Sequence, residues 1–188
     1  MPVSEKTYRQ LVLEDPDGQW ELHCGLLRRK PDDMSVEHND VESRLVRRLV
    51  LQLDEDEFVV RGNSARTRQS PEHYYIPDVC VIPVELVRGL RAQQRSRRRT
   101  VLDIYEAPLP LVVEIWSPST GDYDVDAKLP EYQRRGDLEI WRLHPYERTL
   151  IAWRRQADGS YSESTHTSGV VQLAALPNVS IDLDSLFP

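Results

Sequence analysis

Apolar residues recur along this chain with two different periods, and each predicts a different element. Across residues 35–53, Val41, Leu45 and Leu49 repeat every four positions, with Val46, Val50 and Leu53 widening the stripe. That spacing predicts an amphipathic helix lying on a sheet, with Ser35 as its N-cap. The run Leu111-Val112-Val113-Glu114-Ile115-Trp116 is apolar at nearly every position. It predicts a strand covered on both faces and central in its sheet. Residues 139–143 and 149–153 alternate around His144-Pro145-Tyr146-Glu147, which predicts a hairpin. Residues 4–13 read as a short first helix, and residues 20–29 as a strand pair or bent strand around Gly25. Residues 58–66 and 74–83 each read as one strand, and the tail has strand character near 170–171 and 179–183. Pro118, Ser119 and Gly121 end the central strand, and a helix follows as far as Gly136. Strands, a helical crossover and further strands predict an α/β fold with a central mixed β-sheet flanked by helices.

Composition narrows the class. The 188 residues are taken as a single domain, 39% hydrophobic and 29% charged, which fits a globular protein rather than a disordered one. No apolar run approaches the ~20 residues of a membrane span. The first residues carry no basic segment followed by an apolar one, so no secretory signal is visible. Cys24 and Cys80 are too few for a disulfide framework and read as small buried residues in a reduced cytosol. The net charge of −7 excludes a basic coat, but nucleic-acid binding needs only local positive charge. Arg88, Arg91, Arg95, Arg97, Arg98 and Arg99 supply one such cluster. It reads either as a solvated loop of like charges or as a loop that tracks phosphates.

The candidate chemistry lies in two acids set among apolar residues. Glu114 sits in the central strand, and Asp78 in Tyr75-Ile76-Pro77-Asp78-Val79-Cys80-Val81-Ile82. A buried acid costs several kcal/mol, on the order of 2–7, unless it is paired or binds a metal. Two acids and a main-chain carbonyl, here that of Ile115, suffice for Mg²⁺ or Mn²⁺, which keep several waters. Such an ion makes water nucleophilic and stabilises charge developing on a phosphodiester. Lys128, one of three lysines in an arginine-rich chain, is the candidate for orienting or activating that water. Pro130 predicts a helix start near Asp126 or Ala127, placing Lys128 in its first turn. There burial and the helix dipole would lower its pKa. Competing readings are a turn acid beside Pro77 for Asp78 and an arginine-paired buried acid for Glu114.

The segments Ile76-Pro77-Asp78-Val79 and Leu111-Val112-Val113-Glu114-Ile115-Trp116-Ser117-Pro118-Ser119-Thr120 make up most of a longer pattern. It continues with Asp124, Lys128, Tyr132, Gly136 and Glu139-Ile140-Trp141. This pattern resembles the Uma-two family of restriction endonuclease-like proteins, with the PD-(D/E)XK nuclease fold, over residues 20–155. The resemblance implies Asp78 and Glu114 as metal ligands and a homodimer acting on DNA. The superfamily lysine falls two residues after the acid, where this chain has Trp116, so the resemblance moves the lysine role to Lys128. It also brings His38 to the site, against a reading as an exposed polar residue of the helix's first turn. Tyr132 reads as packing, and the arginine-rich stretch as an insertion. The functional expectation is metal-dependent endonucleolytic hydrolysis of DNA. Its rivals are a catalytically inactive nucleic-acid-binding or interaction module of the same fold, and a carboxylate-pair glycosidase.

Overall fold

The computed structural model describes residues 2–31, 34–97 and 102–187. Among them the strands form three sheets. The largest contains β3 (Phe58–Gly62), β6 (Val79–Pro83), β8 (Leu111–Ile115), β9 (Glu139–His144), β10 (Thr149–Arg155) and β11 (Tyr161–His166). Its order is β11-β10-β9-β8-β6-β3, antiparallel except for the β8–β9 pair, where Glu114 lies opposite Arg142. The second sheet has the order β2-β1-β5-β4-β7, from β1 (Trp20–His23), β2 (Leu26–Arg29), β4 (Arg66–Ser70), β5 (His73–Tyr75) and β7 (Ile104–Tyr105). A ribbon of β12 (Val170–Gln172) and β13 (Ser180–Asp182) completes the set.

The expected central strand is β8, buried at all five residues and paired on both sides. Its alternation assigns two layers. Leu111, Val113 and Ile115 join Val79, Val81, Trp141 and Leu143 beneath α2 (Val36–Gln52). On the opposite face Val112 joins Cys80, Ile82, Ile140, Tyr132 and Trp153. The α2 stripe Val41, Leu45 and Leu49 is fully buried. Each such side chain contributes about 1.5–3 kcal/mol, far above the ~0.7 kcal/mol or less that helix propensity costs a residue. Ser35 caps this helix as expected, its hydroxyl accepting from the His38 amide at 3.2 Å. A first helix, α1 (Glu5–Glu14), packs Tyr8 and Val12 against Leu22 and Tyr74 of the second sheet.

Three local expectations are corrected. Residues 58–66 divide between β3 and β4, in different sheets, with Asn63 at positive φ in the link. Residues 74–83 likewise divide into β5 and β6, because Pro77 has no amide hydrogen with which to continue a ladder. Asp78 therefore stands at a crossing between sheets rather than inside a strand. The arginine-rich loop is mostly a helix, α3 (Val84–Arg97), with Val84 and Val87 buried and Arg88, Arg91 and Arg95 exposed. Arg98 and Arg99 lie outside the described residues. No helix among the described residues is long and apolar enough to cross a membrane.

Candidate active site

Six buried charged side chains meet where the chain crosses between the two larger sheets. Glu21 comes from β1, Lys30 from just beyond β2, Asp78 from the β5–β6 link and Glu114 from β8. Asp124 and Lys128 come from a π-helical turn (Asp124–Lys128) that runs into α4 (Leu129–Arg135). Such turns recur at functional sites. Pro130 falls in the first turn of α4 as expected, but Lys128 closes the π-helical turn before it.

Lys128 Nζ is shared among three acids, 3.0 Å from Glu21 Oε1, 3.2 Å from Asp124 Oδ1, and 3.2 and 3.3 Å from the Glu114 oxygens. The Tyr132 hydroxyl donates to Glu114 Oε1 at 2.6 Å, so Tyr132 belongs to the site rather than to packing alone. Lys30 Nζ donates to Asp78 Oδ1 at 2.6 Å and to the Ile76 carbonyl at 2.9 Å. Main-chain amides join the two halves. Ile115 donates to Asp78 Oδ2 at 2.6 Å, and Ile76 donates to Glu21 Oε1 at 2.9 Å. His38 is fully buried with Nε2 3.3 Å from Asp78 Oδ1. The contact is close but not aligned as a hydrogen bond, and both ring nitrogens lack a hydrogen-bond partner.

The electrostatics separate the two central acids. Burial pushes the Asp78 carboxyl up, but the Lys30 charge and the neighbouring His38 outweigh it and hold the group well below the usual carboxylate range. Burial also raises Glu114, and here it prevails. Its counter-ion Lys128 is divided among three carboxylates, while Asp124 and Asp78 add negative charge. Lys128 reverses the expectation of a lowered pKa. Burial pulls it down, but Glu114, Glu21 and Asp124 raise it well above the ordinary lysine value. It is a fixed cation at neutral pH.

Asp78, Glu114 and Lys128 are thus brought into one network, together with His38. Glu21 and Lys30 were missed by sequence reasoning. Their signals were an acid between Trp20 and Leu22, and a second lysine in an arginine-rich chain. Neither says which distant residues it will meet.

The chain matches the Uma2 family, described as putative restriction endonuclease, over residues 5–184. It belongs to the Uma2 family. The match extends past both ends of the 20–155 core recognised from motifs. No curated protein matches the chain. Among solved structures it is similar to a putative nuclease belonging to DUF820 from Anabaena variabilis ATCC 29413. That similarity is at 17% identity, with a TM-score of 0.76, over 99% of this chain and 98% of that one. The Uma2 chain therefore has a restriction-endonuclease-like fold.

Nucleases of this class generally use divalent metals, and the donor set suits one. Asp78 and Glu114 offer hard oxygens, and the buried nitrogens of His38 await a partner beside Asp78. In this Uma2 chain Trp116 stacks on His144 with ring centroids 4.3 Å apart, so the position two residues after the acid serves an aromatic contact. The cation beside Glu114 comes from Lys128 instead.

Proposed function

We propose that this protein is a metal-dependent endonuclease hydrolysing DNA phosphodiester bonds, with Asp78 and Glu114 holding Mg²⁺ or Mn²⁺. The observation that carries this reading is a charge imbalance. Among the described residues, Glu21, Asp78, Glu114 and Asp124 are buried against the ammonium groups of Lys30 and Lys128, so four carboxyl groups face two lysines, with the His38 ring beside Asp78 as a further titratable group. A divalent cation closes that difference, whereas without it Glu114 is driven to keep its proton.

When bound, the ion supplies Lewis-acid charge to a phosphoryl oxygen and to water. The protein's own groups do the rest. Lys30 and the Ile115 amide fix both oxygens of Asp78, and Tyr132 and Lys128 fix Glu114. Lys128, held protonated, orients the attacking water and stabilises charge on the phosphoryl group as a donor. It is not the base, because three carboxylates hold its proton in place.

The second reading, a binding module of the same fold without turnover, is favoured by Trp116, which is committed to the His144 stack. One experiment divides the two. Labelled single-stranded, duplex and branched DNA are incubated with Mg²⁺ or Mn²⁺ and either wild type, Asp78→Asn or Glu114→Gln. Product from the wild type alone supports the nuclease. DNA retained without product by all three supports the binding module.

A further inference from the structure

Away from the buried carboxylates, the turn joining β1 to β2 carries an unusual residue. Its two residues, Cys24 and Gly25, both have positive φ, 50° and 73°. A two-residue turn of this kind favours Asn-Gly or Asp-Gly, and a non-glycine side chain there is uncommon. Cys24 is exposed, not buried as its composition class suggested. A cysteine held in a disfavoured conformation at a surface turn invites a chemical explanation.

Two histidines flank its sulfur. β1 pairs antiparallel with β5 with Leu22 opposite Tyr74, so His23 and His73 are cross-strand neighbours. Cys24 Sγ lies 3.6 Å from His23 Nε2 and 3.4 Å from His73 Nε2. The three donor atoms lie within 4.8 Å of one another, and no other such His/Cys/Asp/Glu group occurs among the described residues. The other ring nitrogens are already engaged. His23 Nδ1 is 2.7 Å from the Tyr75 hydroxyl, and His73 Nδ1 is 2.8 Å from Ser70 Oγ. Glu131 Oε2, a buried oxygen without a hydrogen-bond partner, stands 3.8 Å from His73 Nδ1. The Tyr75 and Ser70 hydroxyls can each accept from Nδ1–H, and in that tautomer both Nε2 atoms present their lone pairs toward the sulfur. This is the outer-shell arrangement that orients histidine ligands on a metal.

The spacing also fits. With bonds of about 2.3 Å to sulfur and about 2.0 Å to nitrogen, a tetrahedral zinc site has a sulfur–nitrogen edge of roughly 3.5 Å. We propose that His23, Cys24 and His73 form a three-ligand site for Zn²⁺, separate from the carboxylate site and with a fourth position open to water. Nitrogen and thiolate donors select a borderline-soft ion, whereas the oxygens of Asp78 and Glu114 suit Mg²⁺ or Mn²⁺. The site clamps the start of β5 to the end of β1, two residues from Glu21. The Tyr75 hydroxyl reaches from His23 to the Ala127 carbonyl at 3.4 Å, beside Lys128.

The test uses the full chain, stripped with a chelator and titrated with Co²⁺, whose thiolate charge-transfer band reports sulfur coordination. One equivalent should produce that band, and Zn²⁺ should abolish it while millimolar Mg²⁺ leaves it intact. Cys24→Asn suits the turn better than cysteine, so it folds while losing the thiol. It should lose the band and bind Zn²⁺ at least tenfold more weakly. His73→Gln should weaken Zn²⁺ similarly, and Glu114→Gln should leave affinity unchanged. Absence of the band, or a band that survives Cys24→Asn, overturns the site. So does a Cys24 thiol that reacts with a thiol reagent equally fast with and without Zn²⁺. None of these readouts depends on DNA cleavage, so nuclease activity and the zinc site stand or fall separately.

Discussion

Lys128 and Glu114 face each other at 3.2 and 3.3 Å, yet the lysine does not neutralise the acid, because it also serves Glu21 at 3.0 Å and Asp124 at 3.2 Å. Removing the lysine leaves three buried carboxylates without their shared cation. Lys128→Met should destabilise the protein by about 3–5 kcal/mol in urea unfolding. The double variant Lys128→Met/Glu114→Gln should recover part of that loss, because one carboxylate no longer needs a counter-charge. A single-variant loss below about 1 kcal/mol would contradict a buried, shared cation.

The raised pKa of Glu114 makes stability depend on pH and on metal. Its unfolded state ionises near 4.5 while the folded state holds its proton to higher pH, so stability falls as pH rises between the two. Asp78 has the opposite sign. Its lowered pKa contributes stability that is present above about 3.8 and lost as pH falls through the folded value. His38, raised above 6.5, contributes stability present below that value and lost above it, so it adds a slope of the same sign as Glu114. The difference between wild type and Glu114→Gln isolates the acid. From pH 5 to 8 without metal, the wild-type Tm should fall more steeply than that of the variant. Mg²⁺ or Mn²⁺ should flatten the wild-type curve by binding the ionised acid. Parallel curves in the two proteins would place the titration elsewhere.

Much of this was legible in the sequence where one element suffices to define a feature. The α2 stripe, the central β8, the 139–155 hairpin and the acids Asp78 and Glu114 announce themselves through local period or local contrast. What could not be read is which segments meet. Lys30 reaches Asp78 across 48 residues, and Glu21 reaches Lys128 across more than 100, through a second sheet that no local pattern specifies. The arginine-rich stretch failed for another reason. Like-charge repulsion favoured a loop, but Val84 and Val87 bury the first turn of the segment, and the helix continues from that anchor with Arg88, Arg91 and Arg95 exposed.

Tyr132 offers a finer test of how Glu114 is tuned. Its hydroxyl donates to Glu114 Oε1, a bond that strengthens when the carboxyl ionises and so favours the charged form. Tyr132→Phe should therefore raise the Glu114 pKa further and, where Glu114 is ionised, cost about 1.5–3 kcal/mol, the range for a hydrogen bond to a charged group. If Glu114 must be ionised to hold metal, the acidic limb of the pH–rate profile should move to higher pH while the alkaline limb stays. An unmoved acidic limb would separate Glu114 from metal binding.

The exposed arginines of α3 make a prediction about substrate rather than chemistry. Arg88, Arg91 and Arg95 are spaced by three and four residues, which places them on one face of the helix, exposed where it runs on beyond buried Val84 and Val87. If that face follows a DNA backbone, each arginine that meets a phosphate steepens the salt dependence of binding by about 0.9 in log K against log salt. The variant Arg88→Ala/Arg91→Ala/Arg95→Ala should keep the wild-type Tm, since none of the three packs in the core. It should bind duplex DNA more weakly at low salt and with a slope shallower by up to about 2.7. Cleavage at saturating DNA should be unchanged, because the carboxylate–lysine network is intact. An identical salt slope in wild type and variant, measured by fluorescence anisotropy, would remove α3 from the DNA path and leave its charge as a solvated helix face.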